Sequence, residues 1–486
     1  MPQQHLREKA LMRQFGTRLA NLYIDRADTD RLSRLERLPN EIKLMIVGRI
    51  SNVLAVFNVL LTGPHFCAFI SLHERKIAED IIKKSIPAEL RHLAVATYAA
   101  TTSPWNIHHG HHDLYFNQTL SDSYVNSIVR FVERYRRPDG FTLQSHHAKG
   151  LTLWDASVYL PMNNAICTYS RRLVALAMSA TPKVLGFVPE ISHSVLLRYA
   201  KALYITQIVA EIFAWRGGGQ TTQMHMAWGM FWYALTPWEV EQVFGVQTLL
   251  AWYVYNDIIR VFPEHYVNHD NGTTALGRFV NFLGPTRLRT MEQKGGHKNI
   301  ATAFDFFRLW NPVGFIYSAH CAPGFGMRLV LDRIGHRLSQ GKENGSPAYG
   351  DIDIGPMKNW YYIFLFGGLE DRRGGQPCSF FSCMRCLTLS GYAFWDEIKP
   401  SCLPTYPIEE MHRMAVDMHE RAFQALNGAP GKIFTPLWFR KWQNHTCQNA
   451  IPVPATGQLL PPPYHTHEYS FRPIGQLLAE EKERTR

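Results

Sequence analysis

Four imidazoles crowd into one short stretch: His108, His109, His111 and His112, with Gly110 between the pairs and Asp113 after them. Neutral imidazole is a common ligand for zinc, copper and nickel, and Asp113 would add an oxygen donor. A glycine-broken run of this kind is more often a solvated loop, and that is the reading we adopt. A second candidate set is Cys378, Cys383 and Cys386, with Cys402 further on. A structural zinc site wants four tetrahedral ligands, commonly from two close pairs. Only Cys383 and Cys386 form such a pair, and the intervening Ser379-Phe380-Phe381 suits a buried segment. Buried free thiols are the expectation, with no cofactor.

Other reaction templates are missing. The chain has no G-x-x-x-x-G-K-[ST] phosphate loop, no H-E-x-x-H and no G-x-S-x-G elbow. Gly217-Gly218-Gly219 follows a helical pattern, which suits a helix stop. Asp351 and Asp353 place two carboxylates on alternate residues without the other ligands of a calcium loop. The expectation is a protein without catalytic activity of its own.

The elements around these residues read as helical nearly throughout. Val125, Ile128, Val129 and Val132 form an apolar stripe at helical spacing after Ser121-Asp122. Asn163-Asn164 is expected to open a helix reaching Pro182, and residues 192–215 form another. Thr236-Pro237-Trp238-Glu239 has the form of a capping box with proline at the first helical position, and its helix runs toward Phe262 with a break near Gly245. Residues 341–355 and 367–377 read as loops, and 451–463 are proline-rich. No repeat period stands out.

At 486 residues the chain is long enough for two or three domain-sized units. Its formal charge is +11, but Lys and Arg are scattered rather than gathered into a stripe, which argues against a nucleic-acid partner. The opening residues have no continuous apolar core and are not a secretory signal. The two charge-free stretches, 217–238 and 242–256, are too polar or too short to span a bilayer, which takes about 20 apolar residues, so no membrane is expected. Eight cysteines without a secretion signal suit reduced thiols in a cytoplasmic or nuclear protein.

One segment is more specific. In residues 31–70, Pro39 sets φ for a first helical turn, Glu41 favours its positive end, and Ile42, Ile46 and Ile50 follow at intervals of four. Val53 to Leu61 makes a second short helix; Gly63 closes it and Pro64 opens a third carrying Phe66, Phe69 and Ile70. Helices this short are not stable alone and must bury apolar faces against each other or a partner. The order Leu38-Pro39-x-Glu41-Ile42, then Ile46, Ile50 and Leu54, then an aromatic-bearing helix, resembles an F-box. The continuation HERKIAEDIIKKSIPAELRHLAVATYAA is similar to the second helical segment of fungal F-box-like proteins, and SGYAFWDEIKP, around Trp395, resembles a phrase near their ends. Two departures stand out: a shortened link between Ile50 and Leu54, and Thr62-Gly63-Pro64-His65 in place of a more polar run.

The resemblance implies docking onto the small adaptor subunit of a cullin–RING ubiquitin ligase. Leu38, Pro39, Glu41, Ile42, Ile46, Ile50, Leu54 and Phe66 would make the partner-binding surface, and the rest of the chain would recruit an unknown protein substrate. The expected architecture is mainly α: a charged leader (1–33), a three-helix F-box-like module (34–85), a larger irregular helical body (86–447) and a proline-rich, charged tail (448–486). The rival readings are a helical interaction protein whose box is only core packing, and a metal-dependent enzyme using the His or Cys clusters. The first rival predicts that Leu38 and Ile42 are covered within the chain.

Overall fold

The computed structural model describes residues 34–50, 53–61, 63–103, 122–137, 139–147, 150–185, 189–213, 222–261, 272–310, 335, 353–366, 390–396 and 406–427. All regular structure among them is helical, so the mainly α reading holds. The leader, the tail, and the His108–His112 and Cys378–Cys402 clusters lie outside the described residues. The chain divides into two compact units, Met1–Gln118 with Arg134–Cys167 and Thr119–Glu133 with Thr168–Arg486.

In the first unit, α1 (Asn40–Arg49) starts at Pro39, whose carbonyl accepts the N–H groups of Ile42 and Lys43 at 3.0 Å each. Helix α2 (Val53–Leu61) is apolar except for Asn58. Helix α3 (Pro64–Ser85) runs for 22 residues, longer than the short third helix expected. Nothing between Pro64 and Pro87 breaks it, and Glu79 sits one turn from both Arg75 and Lys83. It stops where Ile86, forced extended ahead of Pro87, can no longer be helical. Both α1 and α2 pack on α3.

Helix α4 (Ala88–Thr102) buries every residue from Leu93 to Ala100. Two later helices, α5 (Asp122–Tyr135) and α6 (Leu143–His146), precede the long α7 (Leu153–Leu185). Asn163-Asn164 does not start that helix. It begins upstream at a box the sequence reading passed over: Thr152 N–H donates to Asp155 Oδ2 at 2.9 Å, and Asp155 N–H returns to Thr152 Oγ1 at 3.2 Å. A second carboxylate, Glu74, accepts the Leu153 N–H at 2.9 Å. Asn163 instead donates to the Ser85 carbonyl, satisfying the C-terminal end of α3.

The core of the second unit is α8 (His193–Ile212), α10 (Pro237–Val261) and α11 (Gly272–Trp310), each packed on the other two; α9 (Thr222–Tyr233) precedes α10. Ser192 caps α8 and Thr236–Glu239 caps α10 as the spacing predicted, while α10 runs unbroken through Gly245. Helix α11 is kinked at Gly284, where φ is +67, and again at Gly295 and Gly296. A side chain at Gly284 would strike Gln207, whose Oε1 accepts the Thr286 N–H across the kink at 2.8 Å. Helices α12 (Ile354–Phe366) and α13 (Ile408–Asn427) pack together around Trp238, Trp360, Tyr361 and Met411. Against α12 lies the turn at residues 390–396, buried except for Asp396. One amide, Asn359 Nδ2, holds both its Tyr392 and Trp395 carbonyls, at 3.1 and 2.8 Å.

Replacing Asn359 by leucine, of similar volume, leaves both carbonyls buried and without that donor. A loss of roughly 1–3 kcal/mol per orphaned carbonyl is expected in denaturant unfolding.

Candidate partner-binding face

Helix α1 has one buried residue, Val47, which turns inward with Val53, Val56, Phe66, Phe69 and Ile70. A helix that spends one position on the core has its other apolar residues left over. Ile42, Met45 and Ile46 share a turn-to-turn face, and they are 39, 62 and 41 % exposed. Leu35, in the turn ahead of the helix, is 46 % exposed, while Leu38 is half-buried. Four of the seven large hydrophobic side chains exposed among the described residues thus fall within residues 35–46, which makes a patch rather than scatter. Pro39 and Glu41 are exposed at its edge, and Ile50 is half-buried at the far end of α1.

Two of the residues named from sequence stand differently. Phe66 is 5 % exposed, so it supports the face from beneath and is not part of it. The reason is its place in the first turn of α3, against which both short helices pack. Leu54 lies in α2, and its side chain is outside the described set. Met45, the most exposed residue of the patch, was missed because the interval-of-four reading of Ile42, Ile46 and Ile50 skips the i+3 neighbour. The face is held in place by Lys84, whose ammonium donates to the Gly48 carbonyl, and by Lys43, whose ammonium lies 5.8 Å over the Phe69 ring.

The densest buried polar group in the first unit is of another kind. Tyr98 Oη donates to Asp155 Oδ1 at 2.5 Å, while the Thr152 N–H and hydroxyl both donate to Oδ2. His147 Nε2 is 3.0 Å from Tyr159 Oη, and its Nδ1 is 3.8 Å from Asp155 Oδ2. Tyr98 stacks on Tyr159 with centroids 4.7 Å apart, and His146 meets Tyr98 edge-on at 5.6 Å. A histidine, a carboxylate and two phenols could serve acid–base chemistry. Here both carboxylate oxygens are already taken by α7's own cap and by Tyr98, and Tyr98 stacks directly on Tyr159. Burial, and then Asp155, push the Tyr98 hydroxyl well above its usual range, which keeps it a neutral donor. The arrangement ties α4 and α6 to the start of α7.

Among the described residues no group of three or more His, Cys, Asp or Glu side chains could hold a metal ion, and no helix is long and apolar enough to cross a membrane. Set beside protein-family models, curated proteins and solved structures, the chain matches none of them.

The patch and the core beneath it separate by mutation. Ile42→Asp and Met45→Asp should each change unfolding free energy by no more than about 0.5 kcal/mol, as exposed positions do. Phe66→Ala should cost about 3–5 kcal/mol; equal losses at all three positions would mean that α1 is covered. The imidazoles give a pH test. Burial, then the neighbouring His147 and Arg134, lower His146 to about 4 from 6.5. The unfolded chain therefore binds the extra proton first, and stability drops as pH falls from about 6.5 toward 4. His146→Phe should flatten that part of the melting-temperature profile, read by thermal denaturation from pH 7.5 to 4.5.

Proposed function

We propose that the chain is an F-box-like adaptor that holds the small adaptor subunit of a cullin–RING ubiquitin ligase through α1 and recruits a protein substrate with its helical body. The observation that carries this reading is the exposed row Leu35, Ile42, Met45 and Ile46 on the segment whose motif resembles an F-box. An apolar row facing solvent costs free energy until a partner covers it, at about 25 cal/mol per Å² removed from water. The rival reading, a box that is only core packing, needs both Leu38 and Ile42 covered within the chain; Leu38 is half-buried and Ile42 is 39 % exposed. Catalysis would then belong to the partners, with this chain supplying proximity and orientation. The site of action would be the cytoplasm or nucleus, where such ligases work.

A titration of the purified chain against the ligase adaptor subunit tests this directly. Tight binding is expected for the wild type, with a loss of at least about tenfold for the still-folded Leu38→Ala/Ile42→Ala chain, the equivalent of roughly 1.4 kcal/mol. A well-folded wild type that does not bind would remove the docking role.

A further inference from the structure

Residues 390–396 are bound by the rest of the second unit in the manner of a ligand. Buried backbone groups are ordinarily paired in helix or sheet ladders, and such backbone–backbone bonds make up about two-thirds of a protein's hydrogen bonds. Inside this turn there is one backbone bond, from Phe394 N–H to the Gly391 carbonyl at 2.9 Å. Its other buried carbonyls are taken by side chains from four helices. Ser390 O accepts from Thr181 of α7 at 3.0 Å and Ala393 O from Gln242 of α10 at 2.8 Å. Phe394 O accepts from Arg198 of α8 at 2.7 Å, and Tyr392 O and Trp395 O from Asn359 of α12.

The side chains are read as closely. Phe394 stacks on Tyr199 with centroids 3.8 Å apart, and Trp395 is wholly buried with its indole N–H on Ser390 O. The Tyr392 hydroxyl pairs with Glu241, whose carboxyl is pushed up to about 7 by burial. Gly391 has φ +69, and a Cβ there would run into the Tyr199 hydroxyl. At the open end Asp396 accepts from Ser192 at 2.6 Å, Ser194 at 3.0 Å and Arg198 at 2.7 Å. Backbone carbonyls gripped one at a time, consecutive side chains enclosed and a clamp for the acid at the exposed end are the working parts of a peptide-recognition groove. The turn is not a continuation of any described helix, since α12 ends at Phe366 and α13 begins at Ile408.

We propose that the second unit is a peptide receptor filled in cis by residues 390–396, and that it exchanges this segment for a partner peptide of the pattern glycine–aromatic–small–aromatic–aromatic–acidic. The groove belongs to the second unit alone, so it stands whether or not the α1 face binds a ligase subunit. A tethered occupant acts at an effective concentration in the millimolar range, so an outside peptide gains entry only when the internal copy is weakened or freed.

The test uses the full chain with one specific-protease site between residues 367 and 389 and another between 397 and 405. After cleavage at both, the freed fragment should stay bound through gel filtration. A fluorescent synthetic peptide of residues 388–398 should then exchange into the groove, and an Asp396→Lys version should bind at least about tenfold more weakly for want of its charge-assisted bonds. An uncut chain carrying Phe394→Ala supplies the second reading. Its melting temperature should fall and be raised again by the wild-type peptide, not by a scrambled one. Cleaved chain that unfolds, or that keeps its fold but takes up neither peptide in preference, overturns the proposal, as does a Phe394→Ala chain that the wild-type peptide fails to stabilise.

Discussion

The guanidinium of Arg198 is where the second unit is joined. It donates through Nη1 to the Phe394 carbonyl and to Asp396, and through Nε and Nη2 to the two oxygens of Asp353, just ahead of α12. One planar donor set thus fixes the turn at residues 390–396, the start of α12 and its own helix α8 in a single geometry, which lysine with its point charge could not reproduce. Arg198 is buried while both carboxylates reach toward solvent, so the cation is desolvated on one side and fully paired on the other. Its pKa moves further up for that reason, the paired carboxylates outweighing burial. Around this centre Lys201 pairs with Glu239, whose other oxygen caps α10. The same few charges therefore stand at the starts of α10 and α12 and anchor a chain segment that has no ladder of its own.

Caps do comparable work in the first unit. The N-terminus of α7 presents unpaired N–H groups that receive Asp155 from within the helix and Glu74 from α3, and Asp155 passes the connection on to Tyr98 of α4. At the other polarity, the last carbonyls of α3 are met by Arg91 and Asn163. Helix ends buried against neighbours must be satisfied by someone's side chain, so residues distant in sequence become coupled through them. This couples the turn before α7 to the helices behind the α1 face.

The α1 face is the opposite case, a surface whose apolar atoms nothing among the described residues covers. Helix α1 contributes a single residue to the core, so its position depends on α3 more than on its own sequence. That division lets the outer residues be chosen for a partner without altering the packing beneath. The groove of the second unit inverts the arrangement, with recognition chemistry directed inward and already occupied.

Much of the helical architecture was legible from sequence, because proline, glycine and capping pairs act within a few residues of themselves. Pro39, Gly63-Pro64, Ser192 and Thr236–Glu239 all mark ends that the structure keeps. Local signals failed where a competing signal was equally local: Asn163-Asn164 looked like a start, yet Thr152–Asp155 held the real one, and Gly245 looked like a break that burial against α8 and α11 overrides. The candidate face was half legible. The spacing of Ile42 and Ile46 shows that they share a side of α1, but which side faces the core depends on where α3 lies, and so Met45 joined the surface and Phe66 left it. Arg198, Asn359 and Gln242 could not have been linked to residues 390–396 by any pattern, since the partners are separated by tens to hundreds of positions. What the sequence alone determined is where many of the helices form and stop; only the tertiary structure decided which polar groups meet, because a buried carbonyl takes its donor from whichever element the packing brings within reach.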